Sequence, residues 1–287
     1  MSDTNNNPLQ KYYRQPKVYI TLPSKGEYWE NGSLELPENG EIPVYAMTAK
    51  DELMMKTPDA LLNGQATVEL IQSCIPAIKN AWKTPSTDFD ACLIAIRIAT
   101  YGENMDVSSF TPVISEEKTF SLNLVNLMDR FQGEVFEDTI HTNELTFKIR
   151  PLTYQEMTDT TNETFEEQRI FAAVNNNEIP EMEKIALFRE SFKKLTELTV
   201  RTLEKSIVSI EVGDEVVKNP NLIAEFIANS DKDIFKTLSD HIETQKDKFK
   251  IKPMVVDATP EEIEQGVPAT YEIPVIFDPS NFFAQGS

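Results

Sequence analysis

The sequence predicts an α+β protein, mostly helical, with an N-terminal β-rich region, a central β-hairpin and a C-terminal β-hairpin. Three observations carry that expectation. Pro23, Gly26, Gly32, Pro37, Gly40 and Pro43 cut residues 18–47 into short extended pieces, as in a small meander or hairpin. Apolar residues recur at helical spacing from Asp88 to Tyr101 and again from Glu181 to Val208. Between them, Leu145, Phe147 and Ile149 alternate with Thr146, Lys148 and Arg150, the period of a half-buried strand.

Taken in order, residues 1–16 read as a disordered or partner-bound arm, because Asn5-Asn6-Asn7-Pro8 offers nothing to pack. After the β-rich stretch, Thr48 with Asp51 three positions later is a capping box, so a helix should run from Asp51 to Leu62 and close at Asn63-Gly64. A second helix should cover Thr67–Ile75 and stop at Pro76. Asp88–Tyr101 carries apolar residues on more than one face and ends at Gly102, so it is expected to be central and buried. Val135–Ile140 and Leu145–Leu152 pair as a hairpin around His141-Thr142-Asn143, and Thr153 with Glu156 repeats the capping box. The order strand, then Thr, x, x, acid thus occurs twice, which raises a duplicated hairpin-plus-helix unit. Helices are then expected over Phe165–Val174, Glu181–Val208, from Pro220 and over Asp231–Phe249, with a tight hairpin at Gly213-Asp214. The chain returns to strand at Ile251–Val256, passes through an acidic loop to Gly266, and pairs again from Tyr271 to Phe277. This divides it into the arm (1–16), a β-rich and helical domain (17–133), a hairpin-plus-helical domain (134–250) and a C-terminal hairpin with a Phe-Phe tail (251–287).

Composition narrows the chemistry. The 27 basic and 47 acidic residues leave a net charge of −20, a poor match to a nucleic-acid backbone, so no nucleic-acid partner is expected. The longest apolar run, Ala91–Ile96, is broken by Arg97, far short of the ~20 residues of a membrane span. The polar start argues against a signal peptide. Cys74 and Cys92 sit in apolar helical contexts and read as reduced core residues. With two histidines, no His-Glu-x-x-His, no Cys-x-x-Cys and no Gly-rich phosphate loop, no catalytic residue, metal ligand or cofactor is assigned, and a non-enzymatic protein is expected. Acid pairs such as Asp88/Asp90 fall at helix starts, where the helix dipole accounts for them.

Several motifs resemble a known family. Leu22-Pro23-Ser24-Lys25-Gly26 with Tyr28, the Met47-Thr48-Ala49-Lys50-Asp51-Glu52 turn and the Ala95–Gly102 helix end look like the baseplate hub and hub-assembly proteins of T-even-type contractile-tailed phages. Tyr271-Glu272-Ile273-Pro274 and Phe277–Phe283 resemble that family's closing strand and Phe-Phe tail. Some relatives carry cysteine pairs in the C-terminal hairpin; residues 252–268 have none, so zinc drops out. The resemblance implies a tail component or assembly factor acting by contact with hub, tube or tape-measure proteins, located in the virion baseplate and assembled in the host cytoplasm. The runner-up is a transient chaperone of the tape-measure protein, absent from the finished particle. Tyr12, Tyr13 and Arg14, with Lys11 and Lys17, form the one locally basic and aromatic patch on an acidic chain, suited to an acidic neighbour, including a further copy of this protein in a homo-oligomer. Phe282 and Phe283 either dock on their own domain or insert into a partner. Both ends are therefore candidate partner-binding segments.

Overall fold

The computed structural model describes residues 9–56, 64–142, 144–174 and 180–275. The architecture is α+β, with helices packed around small antiparallel sheets. Strand β1 (Pro16–Ile20) pairs antiparallel with β2 (Ile42–Tyr45), and this ribbon lies on the helical core. Helices α1 (Ala49–Met55), α2 (Gln65–Cys74) and α3 (Ser86–Tyr101) come next. Ala91–Ile96 are all buried, so α3 is the central helix its sequence pattern announces. Ile20, Leu22, Ile42 and Val44 of the ribbon meet Leu70 and Ile71 of α2 and Ile94 and Ile96 of α3 in one apolar cluster. The expected continuation of α1 to Leu62 falls on residues 57–63, which lie outside the described residues.

The turn that leaves β1 has a specific anchor. Lys25 and Tyr28 hold φ of 55° and 66°, a costly region for residues with a Cβ, and Gly26 sits at 87°. A Cβ on Gly26 would come within 2.9 Å of Leu36 Cδ2. Asp88, on the first turn of α3, holds this turn in place. Its carboxylate accepts hydrogen bonds from Ser24 N (2.8 Å), Ser24 Oγ (2.5 Å) and Trp29 Nε1 (2.8 Å). Asp88 therefore does more than complement a helix dipole: it is fully buried and clamps a strained turn 64 residues away in sequence. Burial pushes its pKa up to about 6, against the opposing pull of those hydrogen bonds.

Residues 104–133, unassigned in the sequence, form the β3 (Asn104–Phe110) and β4 (Glu117–Asn123) hairpin and helix α4 (Leu124–Gly133). The central hairpin is β5 (Thr139–His141) with β6 (Leu145–Ile149), where Phe147 and Ile149 point into the core as the alternation requires. It does not stand alone. Helices α5 (Tyr154–Val174) and α6 (Glu181–Ser206) intervene, and then β7 (Ile207–Val212) and β8 (Glu215–Val217) join it in a sheet of order β5-β6-β7-β8. Helix α6 stops at Ser206, two residues before the expected end, because Ile207 and Val208 enter β7; Ile207 and Ile210 are buried there. Helices α7 (Pro220–Asn229) and α8 (Lys232–Lys248) cover the sheet through Ile223, Ile227, Leu238 and Ile242.

At the C-terminal end, β9 (Met254–Asp257) pairs with β10 (Thr270–Ile273) around a short helix α9 (Pro260–Glu264) inside the expected acidic loop. Val267, Tyr271 and Ile273 pack with Val107 and Phe120, so this hairpin shares its apolar cluster with β3–β4. Tyr154, at the start of α5, joins the edge of the first cluster, where its ring stacks on Phe89 (4.2 Å between centroids) and Trp82 (5.5 Å).

Candidate partner-binding surfaces

The N-terminal arm is partly built into the body. Gln10–Tyr12 form one 3-10 turn, after which Arg14 reaches inward. Arg14 Nη1 donates to Ala46 O (2.6 Å); Nη2 donates to Ser73 O (2.5 Å) and Ser73 Oγ (3.0 Å). Asp51 Oδ2 lies 3.6 Å from Nη1, and the guanidinium sits over the Tyr45 ring at 5.6 Å. Every one of those partners belongs to this chain, so Arg14 works here as the arm's anchor. Tyr12 and Tyr13 flank that anchor and remain 74% and 55% exposed, with Lys11 Nζ over the Tyr12 ring at 4.9 Å. Tyr19 on β1 is 61% exposed as well, so the aromatic strip extends beyond the Tyr12-Tyr13 pair that the sequence pattern marks. Phe282 and Phe283 lie outside the described residues.

Asp51 ties this anchor to the first capping box. Thr48 N donates to Asp51 Oδ2 (2.7 Å) and Asp51 N donates to Thr48 Oγ1 (3.2 Å). The second box has the same form. Thr153 N donates to Glu156 Oε2 (2.9 Å), Glu156 N donates to Thr153 Oγ1 (3.3 Å), and Arg150 grips both carboxylate oxygens at 2.9 and 2.7 Å. Burial alone would raise the Glu156 pKa; the Arg150 and Thr153 hydrogen bonds outweigh it and the net shift is downward. A third box, Thr259 with Glu262, starts α9, and Lys118 Nζ of β4 reaches Glu262 Oε1 at 2.8 Å. Its Thr259-Pro260-Glu261-Glu262 signature is plain in the sequence, within a stretch expected to be loop.

The titratable groups sit in structural contacts. His241 Nε2 lies 2.8 Å from Glu137 O, and His141 Nδ1 lies 3.1 Å from Thr146 Oγ1. Both thiols are buried; burial pushes Cys74 up to about 12 and holds Cys92 well above the ordinary thiol value. Among the described residues no group of three or more His, Cys, Asp or Glu is placed to hold a metal, and no helix is long and apolar enough to cross a membrane. A cavity of about 370 Å³ opens between the two larger clusters, lined by Phe89, Asp90, Phe136, Met157, Ile242 and Phe249 among others. Asp90 has no hydrogen-bond or ion-pair partner among the described residues, and burial raises its pKa to about 6.

These features define an acidic α+β protein with anchored, exposed aromatic surfaces. The chain matches the family model described as T4 bacteriophage base plate protein over residues 29–264, well over half its length, and it belongs to that family. The match takes in the Met47–Glu52 and Ala95–Gly102 motifs; Leu22–Tyr28 and Tyr271–Phe283 fall outside it. No curated protein and no solved structure matches the chain.

Proposed function

We propose that the protein is a non-enzymatic structural component or assembly factor of the hub of a contractile phage tail baseplate, acting by protein–protein contact. Family membership over residues 29–264 carries this reading, since that family's proteins are baseplate parts. The partners are other tail proteins of the hub, tube or tape measure, together with further copies of this chain. The site is the baseplate of the virion, reached after assembly in the host cytoplasm.

Contact is made at the two ends. Tyr12 and Tyr13 are exposed aromatic rings on a fixed backbone, a form that contributes contact area at low entropic cost. Arg14 serves this contact by pinning the arm through Ala46 and Ser73. Phe282 and Phe283 act as apolar anchors in a neighbour, where such residues contribute roughly 2 kcal/mol or more each. The deciding experiment is quantitative mass spectrometry of purified virions combined with a cryo-EM map of the tail tip. A fixed copy number at the hub supports the reading. Presence during assembly and absence from the finished particle supports the tape-measure chaperone in its place. A Tyr12→Ala/Tyr13→Ala variant should keep its melting temperature and fail to enter particles.

A further inference from the structure

Helix α6 is turned the unexpected way round. Toward α5 it sends polar groups: Ser191 Oγ donates to Glu167, Lys194 lies 3.5 Å from Glu167, and Arg201 contacts Glu163, with Leu198 the buried apolar member. Its uncharged face lies to one side of those polar contacts. Ile185, Phe192, Leu195, Thr199 and Thr202 recur at intervals of three, four and seven, so they share one side of the helix. Ile185 is 48% and Phe192 66% exposed. The C-terminal part of this face forms one wall of a groove of about 440 Å³, whose opposite wall is α8 with Phe235, Ser239 and Ile242 and which Thr160 and Thr164 of α5 also line. The groove shares Thr202, Ile242 and Lys246 with the 370 Å³ cavity beside it, so the two form a continuous trough.

The charge along the rim says what the trough would take. Lys232, Lys236, Lys246 and Lys250 fall at spacings that bring them to one side of α8 and its end, together with Ser239 and Glu243. Glu243, Lys246 and Lys250 line the groove itself, and Asp233, Asp240 and Asp247 lie on the adjoining, outer side of the helix. Lys250 is paired with Asp247 (2.6 Å), but Lys232, Lys236 and Lys246 are in no ion pair among the described residues. On a chain of net charge −20, Lys232, Lys236 and Lys246 give this side of α8 cationic side chains without ion-pair partners among the described residues, interrupted by Glu243, where the rest of the chain is strongly acidic. From Phe235 to Lys250 the wall is about 22 Å long at 1.5 Å per residue, the length of roughly four helical turns.

We propose that the trough between α6 and α8 is a docking site for an amphipathic helix of another protein, about four turns long, apolar on one face and acidic along its flank. The helix lays its apolar face on Leu195, Phe235 and Ile242 and its carboxylates along the lysine row, a helix-in-groove mode. This goes beyond the baseplate reading and stands or falls separately from it.

The test uses the full chain and two synthetic 18-residue peptides with the same leucine positions, one bearing Glu and the other Lys at the remaining surface positions. Binding is read by fluorescence anisotropy at low ionic strength. The field of the whole chain favours the basic peptide, so a preference for the acidic one can come only from the local surface. The expected result is at least tenfold tighter binding of the acidic peptide, a reversed preference in Lys236→Glu/Lys246→Glu/Lys250→Glu, and weakened binding of both in Phe192→Asp. All substituted side chains are exposed, and unchanged circular dichroism and melting temperature verify folding. Equal binding, no binding or a preference for the basic peptide overturns the proposal. So does a concentration-dependent dimer of the wild-type chain that Phe192→Asp abolishes, since a second copy would then be the occupant.

Discussion

The two helix starts at Thr48 and Thr153 have the same local form and differ in where their arginine comes from. Each has a Thr and an acid exchanging hydrogen bonds, and each acid faces a guanidinium. Arg150 is six residues before Glu156, just past the strand that feeds the helix, and its two-point grip closes a local loop. Arg14 lies 32 residues before Ala46 and 59 before Ser73, so its contacts fasten an otherwise separate arm to α1 and α2. The Thr-x-x-acid signature reports the beginning of a helix. Whether the acid there is also a long-range fastening depends on a residue the local pattern does not contain.

The largest expected effect separates the two arginines. Arg14→Ala leaves Ala46 O, Ser73 O and the buried Asp51 carboxylate short of a donor, and should cost about 3 kcal/mol. Arg150→Ala removes a partly buried but local grip and should cost less, about 1 kcal/mol. Urea denaturation of both variants measures the gap; equal losses would break the comparison. Limited proteolysis adds a second reading, because only Arg14→Ala should expose cleavage sites in residues 9–16.

The second site has a neighbour the first lacks. Asp90 lines the same cavity as Arg150, yet Arg150 is engaged by Glu156 and Asp90 has no partner among the described residues. Its folded pKa, about 6, lies above the 3.8 of a free Asp. A carboxyl raised in this way contributes stability that is fully present below about pH 4 and is lost as pH rises through about 6. Asp90→Asn should therefore stabilise the protein at pH 8 by about 2 kcal/mol and change little at pH 4. Thermal melts across that range check it, and destabilisation at pH 8 would show that the ionised form has a use in the free protein.

Smaller still, Thr48→Ala and Thr153→Ala should each cost about 1 kcal/mol, a typical loss of an N-cap, and should do so equally. A clear inequality would show that the Arg14 fastening acts through the cap itself. The smallest effect is a slope in acid. The Glu156 pKa is lowered, so the Arg150–Glu156 contribution holds above the ordinary Glu range and is lost as pH falls through it. Glu156→Gln should flatten the stability curve there by less than about 1 kcal/mol.

Local devices were the legible part of this fold. The helix caps at Thr48 and Thr153, the alternation of Leu145, Phe147 and Ile149, and the buried run Ala91–Ile96 can each be read within a dozen residues. Pairing over distance lay beyond reach. The sheet neighbours of β6 are separated by α5 and α6, and no local pattern says that Ile207–Val212 returns to Leu145–Ile149. The β3 strand hid for a different reason: its inward residues, Met105, Val107 and Ser109, are too mixed in polarity to show alternation. At the candidate surface, the basic and aromatic character of the arm was visible in Lys11, Tyr12, Tyr13 and Arg14, but the inward turn of Arg14 was not. Its acceptors, Ala46 O and Ser73 O, are backbone atoms that carry no side-chain signal.

The position of Arg14 has a mechanical consequence. Tension applied to the chain ahead of Leu9 meets the exposed 3-10 turn first and then the Arg14 contacts, before it can load the β1–β2 ribbon behind them. Once those contacts give way, the load passes to β1, which begins two residues further on at Pro16. Under the proposed contact at Tyr12 and Tyr13, a pull from a neighbour would thus load a link outside the apolar interior that holds Ile20, Ile42 and Val44 before it loads that interior.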